Sequence, residues 1–166
     1  MTTFQESMQA YRCLLEEGLL QMAYRGLMDY MLALKTHFKN RYPEYFVSGG
    51  LYYGFMDMTY FSITPAALKE RALKIAVVFV HETFTFEVWL SGSNRLIQAE
   101  YWQKIKESGW SKYRLVSDPE REDAILQQVL ITGSDFSDLE ALSARIEQGT
   151  LAFTRDVQAL LSSLSN

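Results

Sequence analysis

The chain has 166 residues, enough for one domain with a single sizeable core. Its 48% hydrophobic and 22% charged residues are typical of globular proteins, and its net charge of -4 offers no broad basic field, so nucleic acid is not an expected partner. No apolar run approaches the roughly 18 residues of a membrane-spanning helix, and no signal peptide is recognisable, so the cytoplasm is the expected compartment.

The residue inventory excludes several common kinds of site. The single cysteine, Cys13, rules out an internal disulfide, and its apolar neighbours on a predicted helix favour a buried, unreactive thiol. The only histidines are His37 and His81, too few for a multi-histidine zinc site. There is no P-loop, no dinucleotide-binding glycine pattern and no nucleophile elbow. We therefore expect neither a metal nor a cofactor.

The chain begins with two predicted helices. Thr3 and Glu6 have the spacing of a capping box, and Gly18 is a natural helix end. The second helix must end before Pro43, because the residue preceding a proline is disfavoured in α conformation. Apolar residues recur at helical spacing along both: Phe4, Met8, Tyr11 and Leu15 in the first, and Leu20, Tyr24, Leu27, Met31, Leu34 and Phe38 in the second.

Extended structure is predicted next. After a turn at 48–50, residues 51–63 form either one strand bent at Gly54 or a short hairpin. Thr64 and Pro65 open a short helix as cap and first residue. Residues 73–90 then predict an antiparallel hairpin with a period of two in its second arm. One face of that arm carries Phe84, Phe86, Val88 and Leu90, and the other carries Thr85, Glu87 and Trp89.

The last third of the chain predicts helices around one short strand. Ser93 can cap a helix over 94–107, and residues 110–116 are the last expected strand. Asp118 followed by Pro119 indicates the start of another short helix. The final helix, capped by Ser137, could run for about 25 residues, longer than the core requires. Gly149 would kink it, or its far end would pack on a second copy.

These elements predict an α+β fold in a single domain over residues 1–166. We expect a curved antiparallel sheet of four or five strands, with helices packed on one face and long helices at both ends of the chain. The opposite face would be partly open, or closed by a second protomer.

Candidate site residues cluster on the predicted sheet. The side chains of Glu87 and Trp89 share one surface patch, where apolar cover could raise the pKa of the carboxyl group. The aromatic residues around Asp57, among them Tyr53 and Tyr60, could stack on a flat ligand. Each group also has a purely structural interpretation, as core packing.

Two further candidates lie at the ends of the hairpin. Asn94 and Arg95 begin a helix, where free backbone N–H groups and a guanidinium suit an anion, although arginine is common at such positions. His81, beside Glu82 at the turn, could act as a general base, or the two could form a solvated turn pair. Glu87 and His81 are therefore the candidate catalytic groups.

The order of elements is similar to the core of restriction-endonuclease-like nucleases. Those enzymes carry an acidic residue on the second strand and an acid-x-lysine motif on the third, to hold magnesium and activate water. Here the third strand contains Glu87-Val88-Trp89 without the lysine, and the second offers no aspartate. A degenerate hydrolase of this type is the weakest functional alternative.

Three segments carry a second resemblance. They are Leu51 to Phe61, His81 to Arg95 and the pair Tyr101-Trp102, in which tryptophan, tyrosine and histidine recur in fixed order. Together they resemble a family of small bacterial proteins recorded only as a domain of unknown function, over about residues 11–157. The resemblance implies one cytosolic domain and no activity, substrate or cofactor.

Three functional hypotheses follow. The first is a module that binds a small molecule or a protein through Tyr53, Asp57, Tyr60, Glu87, Trp89 and Arg95. The second is an enzyme with Glu87 or His81 as base and Arg95 as anion clamp. The third is a homodimer assembled through the C-terminal helix, for which an exposed apolar patch along Leu142, Phe153 and Leu160 would be the sign.

Overall fold

The fold is an α+β arrangement of five helices and six strands, seen in a computed structural model that describes residues 1–164. The helices are α1 (Phe4–Glu16), α2 (Leu19–Arg41), α3 (Ala66–Lys69), α4 (Arg95–Ser108) and α5 (Leu139–Leu164). The strands are β1 (Phe46–Val47), β2 (Met58–Thr64), β3 (Leu73–Val80), β4 (Thr85–Gly92), β5 (Arg114–Leu115) and β6 (Leu126–Ile131).

The six strands form one open sheet in the order β1-β2-β3-β4-β6-β5, and every neighbouring pair is antiparallel. The predicted hairpin is confirmed, with β3 and β4 paired in register from Leu73 opposite Gly92 to Val80 opposite Thr85. Phe84 is the exception to the predicted face. It lies in the turn with φ of 56° and is 54% exposed. The anchoring face of β4 therefore begins at Phe86.

The sheet has six strands instead of the predicted four or five, because β1 and β6 were not predicted. The helix expected at Asp118 and Pro119 does not form. Asp118 Oδ1 instead accepts a hydrogen bond from the backbone N–H of Glu120, as in an Asx turn, and the chain then enters β6. The strand expected over 110–116 is reduced to two residues. Residues 116–125 between β5 and β6 are called the cover loop below.

The main core lies between the sheet and the two long helices, α2 and α5. Phe86, Val88 and Leu90 face this core and are fully buried, as predicted. The three side chains named as a possible dimer patch, Leu142, Phe153 and Leu160, are also buried, each at most 4% exposed. They pack against their own chain and do not form the exposed patch that assembly through α5 would require.

A second, smaller apolar cluster lies on the opposite face of the sheet. Trp89 contributes to it from β4, as the alternation predicted, and the cover loop closes over it. Its buried members are Ala76, Val78, Trp89, Val116 and Ala124. This face is therefore partly covered by a segment of the same chain.

Helix α1 differs most from expectation. Its capping box is present, with the Thr3 side chain accepting from the backbone of Glu6, and Gly18 adopts the left-handed conformation at φ 73°. None of its residues is buried, however, and the Cys13 thiol is exposed rather than enclosed. An apolar stripe at helical spacing predicts an apolar helix face, but it does not determine whether another part of the chain covers that face.

The other helix starts show how local hydrogen bonding selects the cap. Asn94, not Ser93, caps α4, because its side chain accepts from the backbone N–H of Ile97. Asp138, not Ser137, caps α5 by accepting from the N–H of Ala141. Helix α3 has Pro65 at its cap position and no side-chain cap.

Helix α5 is continuous, and Gly149 marks a close approach to β6 rather than a kink. A Cβ added there would lie 2.6 Å from Leu130 Cδ2. Two residues earlier, Glu147 joins α5 to α2 by accepting hydrogen bonds from Tyr42 and from His37 Nε2, the latter at 2.8 Å. Burial pushes the pKa of Glu147 up, but these bonds and the charges of His37 and Arg41 outweigh it and hold the pKa below its ordinary value.

Candidate functional site

A cavity of about 420 Å³ opens on the face of the sheet that carries Trp89. Strands β2, β3 and β4 form its base, and the start of α4 and the end of the cover loop form one side. Five of the predicted site residues line it: Asp57, Tyr60, Trp89, Asn94 and Arg95. The structure thus brings most of the candidate binding residues into one place.

The strand register explains this grouping. In an antiparallel sheet, directly opposed residues point to the same face. Ala76 opposes Trp89, and Lys74 opposes Ser91, so these four side chains share the cavity face. Tyr60 lies across from Val78 on the same side. Because side chains alternate along each strand, the intervening residues point to the opposite face, toward the main core.

A pair of stacked tyrosines forms the aromatic part of the wall. The rings of Tyr52 and Tyr60 lie 4.9 Å apart at an interplanar angle of 26°. An isolated antiparallel bridge joins the two backbones, and Gly54, at φ 72°, turns the chain between them. Burial, followed by the charges of Tyr52 and Asp123, raises the pKa of Tyr60, so its hydroxyl stays protonated at neutral pH. Tyr52 is 42% exposed and leaves one ring available to a ligand.

Asp57 ends the turn that connects these tyrosines. Its Oδ1 accepts a hydrogen bond of 2.9 Å from the N–H of Phe55. Backbone N–H groups of Met58 and Phe55 together lower the pKa of the carboxyl group. The carboxylate is therefore ionised at neutral pH and holds the turn in shape.

Glu87 lies beside the cavity and does not line it. Its Oε2 accepts a 2.6 Å hydrogen bond from the indole N–H of Trp89, and its Oε1 accepts one of 3.1 Å from the hydroxyl of Thr85. The predicted pairing of Glu87 with Trp89 on one face is present. Both groups are satisfied by each other, and the carboxylate fixes the orientation of the indole that forms part of the cavity base.

Arg95 and Asn94 are engaged within the chain. The guanidinium of Arg95 donates to the carbonyl oxygen of Glu122 and pairs with Asp123 Oδ1 at 2.9 Å. Asn94 uses its side-chain oxygen to cap α4. Arg95 therefore holds the cover loop in place, and the expected anion clamp already has partners.

Gln98 also holds the cover loop in place, from a buried position on α4. It is 3% exposed, and its amide donates to the carbonyl oxygens of Pro119 and Glu122 at 3.0 and 2.8 Å. Its Oε1 accepts from the N–H of Gly92 at 3.3 Å. The first turn of α4 thus fixes the cover loop to the end of β4.

Lys74 is the charged group of the cavity whose charge is not neutralised. Arg95 pairs with Asp123, and Asp57 is held by backbone donors, whereas the Lys74 side chain makes no hydrogen bond or ion pair with any of residues 1–164. Its Nζ lies 5.5 Å from the ring centroid of Tyr60, within the range of a cation–π contact. An anionic ligand could pair with this ammonium group and contact the neighbouring aromatic rings.

Two predicted residues lie elsewhere. Tyr53 is 49% exposed outside this cavity, and its carbonyl oxygen accepts from the hydroxyl of Thr59 at 2.8 Å. His81 is half-buried near the hairpin turn and lines a different cavity, on the side of α2. The structure therefore does not bring the proposed base His81 together with Arg95.

The sequence analysis missed Lys74, Ser91, Gln98 and Asp123, all of which line the cavity. Lys74 could have been found, because it is the only charged residue in β3 and the register of a tight hairpin places it opposite Ser91. Gln98 and Asp123 depend on the cover loop, which the prediction replaced by a helix. Within residues 1–164, no group of three or more His, Cys, Asp or Glu side chains is arranged to hold a metal ion.

Comparison with protein-family models gives one match, to a domain of unknown function, DUF7000, over residues 4–161. The match covers nearly the whole chain. The chain belongs to this family. The match confirms the predicted membership of a family recorded as a domain of unknown function. A search of curated proteins and a search of solved structures each found no match. In the described part of this family member, no helix is both long and apolar enough to cross a membrane.

Proposed function

We propose that the protein binds a small planar molecule carrying one acidic group, in the cavity around Tyr60, Trp89 and Lys74. The observation that carries the proposal is the Lys74 ammonium, which has no anionic partner in residues 1–164 and stands beside the stacked pair of Tyr52 and Tyr60. The cavity volume of about 420 Å³ suits a small ligand, since such sites measure roughly 300 to 1,000 Å³.

The ligand class follows from the groups that remain available. The exposed Tyr52 ring offers a face for stacking, and Lys74 offers a charge that attracts a carboxylate or phosphate. The other cation, Arg95, is neutralised by Asp123. One ring and one acidic group are therefore the features that the site selects.

The side chains and the loop that form the cavity are already held in place by hydrogen bonds. Trp89 is oriented by Glu87, and the cover loop is held by Gln98 and Arg95, so little side-chain order has to be gained when a ligand enters. These contacts support a binding module over an enzyme, because they engage Glu87 and Arg95 in structural roles.

NMR titration tests the proposal with benzoate as the probe and benzamide as its neutral counterpart. The indole N–H of Trp89, assigned with a Trp89→Phe variant, should shift with benzoate at a dissociation constant of about 1 mM and stay unchanged with benzamide. Lys74→Met should weaken benzoate binding about tenfold or more.

Lys39→Met is the matched control, because Lys39 is exposed on α2 and lies outside the cavity. Equal binding of benzoate and benzamide, or full binding by Lys74→Met, would show that Lys74 does not select the ligand. The absence of any shift with benzoate, 4-hydroxybenzoate and indole-3-acetate would reject the planar-acid class.

A further inference from the structure

A second cavity, of about 450 Å³, lies on the helix side of the sheet near the β3–β4 turn. It opens between the first half of α2, the hairpin turn and the start of α5. Its lining includes Leu20, Gly26, Leu27, Met56, Phe84 and Phe136. None of the described residues that line it carries a carboxylate, ammonium or guanidinium group. A charged ligand would therefore lose its hydration here without gaining a partner.

Three polar side chains line this cavity: Tyr24, Tyr30 and His81. The Tyr24 hydroxyl donates to the carbonyl oxygen of Tyr53 at 3.5 Å, and the Tyr30 hydroxyl is bonded to Ser143 at 3.0 Å. Because both tyrosine hydroxyls have partners, His81 is the group that we consider for a ligand.

His81 Nε2 lies 3.0 Å from the hydroxyl oxygen of Thr59, and that hydroxyl donates its own hydrogen to the carbonyl oxygen of Tyr53. The Thr59 oxygen must then accept from His81, which places the proton on Nε2 and leaves Nδ1 as an acceptor. Burial lowers the pKa of the ring, against the charge of Asp57, so the imidazole is neutral at pH 7. Nδ1 makes no hydrogen bond to the residues described.

The backbone around the cavity is held in uncommon conformations. Met56 and Phe84 both line it with positive φ, 61° and 56°, a region that bulky side chains rarely adopt. Such conformations persist only where the surrounding structure imposes them, and they concentrate at functional sites. Both side chains remain about half exposed, at 48% and 54%, on the rim of the cavity.

Gly26 keeps the α2 side of the cavity open. It lies within a 23-residue helix, where glycine is less stable than alanine, and a Cβ built there meets no atom within 4 Å. The helix thus carries an unfavourable residue at a position where no packing contact requires it. A larger side chain at this position would extend into the space at the cavity wall.

We propose that this cavity binds a neutral, mostly apolar small molecule that donates one hydrogen bond to His81. The absence of lining charge selects a neutral ligand, and the volume limits its size. The site is distinct from the polar cavity around Lys74, because it lies on the other side of the sheet and shares none of its lining residues.

Fluorescence titration with N-phenyl-1-naphthylamine, a neutral dye with one N–H donor, tests the proposal. The wild-type protein should enhance its emission with saturable, one-to-one binding. Gly26→Leu should weaken that binding at least tenfold while its melting temperature stays equal or rises, because leucine is the better helix former. Gly49→Leu is the control, since it adds the same side chain at a surface bend outside both cavities.

Displacement of the dye by two competitors tests the hydrogen bond. In the wild type, 2-naphthol should bind about three- to tenfold more tightly than 2-methoxynaphthalene, which has no donor. His81→Phe keeps an aromatic ring and should remove that preference, and circular dichroism reports whether the variant is folded. Should the folded variant retain the preference, His81 would not be the acceptor.

Three results would overturn the proposed site. The first is no saturable binding of the dye by the wild type. The second is undiminished binding by Gly26→Leu, which would place the dye elsewhere, for example on the exposed apolar face of α1. The third is a dimer in sedimentation that Gly26→Leu dissociates, which would assign the cavity to a second copy of the chain.

Discussion

Replacement of Gln98 by leucine should destabilise the protein, because this buried side chain fixes the cover loop to α4 and β4. The substitution keeps a similar volume but removes three hydrogen bonds, to Gly92, Pro119 and Glu122. Each contributes about 0.5 to 1.5 kcal/mol to stability. The two carbonyl oxygens keep Arg95 as a donor, and the leucine gains apolar burial, so the expected cost is about 2 to 3 kcal/mol.

Urea denaturation followed by far-UV circular dichroism measures this cost. For a chain of this length, the same loss lowers the melting temperature by about 4 to 12 °C. Gln103→Leu is the matched control on the same helix, because Gln103 is exposed and donates only to Glu107. It should change stability by less than about 0.5 kcal/mol. Equal effects of the two substitutions would refute the role assigned to Gln98.

Three further outcomes are expected. Gly54→Ala should destabilise the turn by about 2 kcal/mol or more in urea denaturation, since alanine disfavours positive φ and its Cβ would overlap the carbonyl oxygen of Met58; a neutral effect would contradict the geometry. Glu147→Gln should cost about 1 to 2 kcal/mol at pH 7. Because the pKa of Glu147 is lowered in the fold, that difference should shrink as pH falls below 4.5, and a constant difference would exclude the carboxylate as its source. The exposed Cys13 thiol should react with Ellman's reagent in the native protein within a few-fold of its rate in urea, and strong protection would show that α1 is covered.

The fold class was predictable because its central elements carry strong local patterns. The β4 alternation of Phe86, Val88 and Leu90 against Glu87 and Trp89 is a two-residue period that only a strand satisfies, and the structure confirms it. The long helices likewise follow from apolar residues at helical spacing. Each of these patterns lies within a single segment, so the helix or strand could be predicted without knowing which other segments it contacts.

The errors arose where the structure depends on contacts between segments. Asp118 followed by Pro119 is compatible with a helix start and with a turn, and the hydrogen bonds from Gln98 to the cover loop stabilise the turn. Strand β6 lacks clean alternation, with Gln127 and Gln128 adjacent, so its period gave no signal. The site residues on these segments could not be placed without the missing contacts.

The candidate site shows the same division. Trp89 and Tyr60 were predictable as neighbours on one face, since the sheet could be inferred from the sequence. Lys74 could also have been placed from the register of the predicted hairpin, but the neutralisation of Arg95 by Asp123 required the path of the cover loop. Charge balance in the cavity is therefore a property of the tertiary structure.

The two outermost strands, β1 and β5, are only two residues long. A strand this short presents few free backbone N–H and C=O groups of its own. It also covers little of its neighbour: β5 pairs only with Leu126 and Gln127, so the outer edge of β6 over residues 128–131 has no strand partner among the residues described. The outer edge of β6 is therefore the part of this sheet at which an added strand, from a partner or from a misfolded copy, would find free backbone groups.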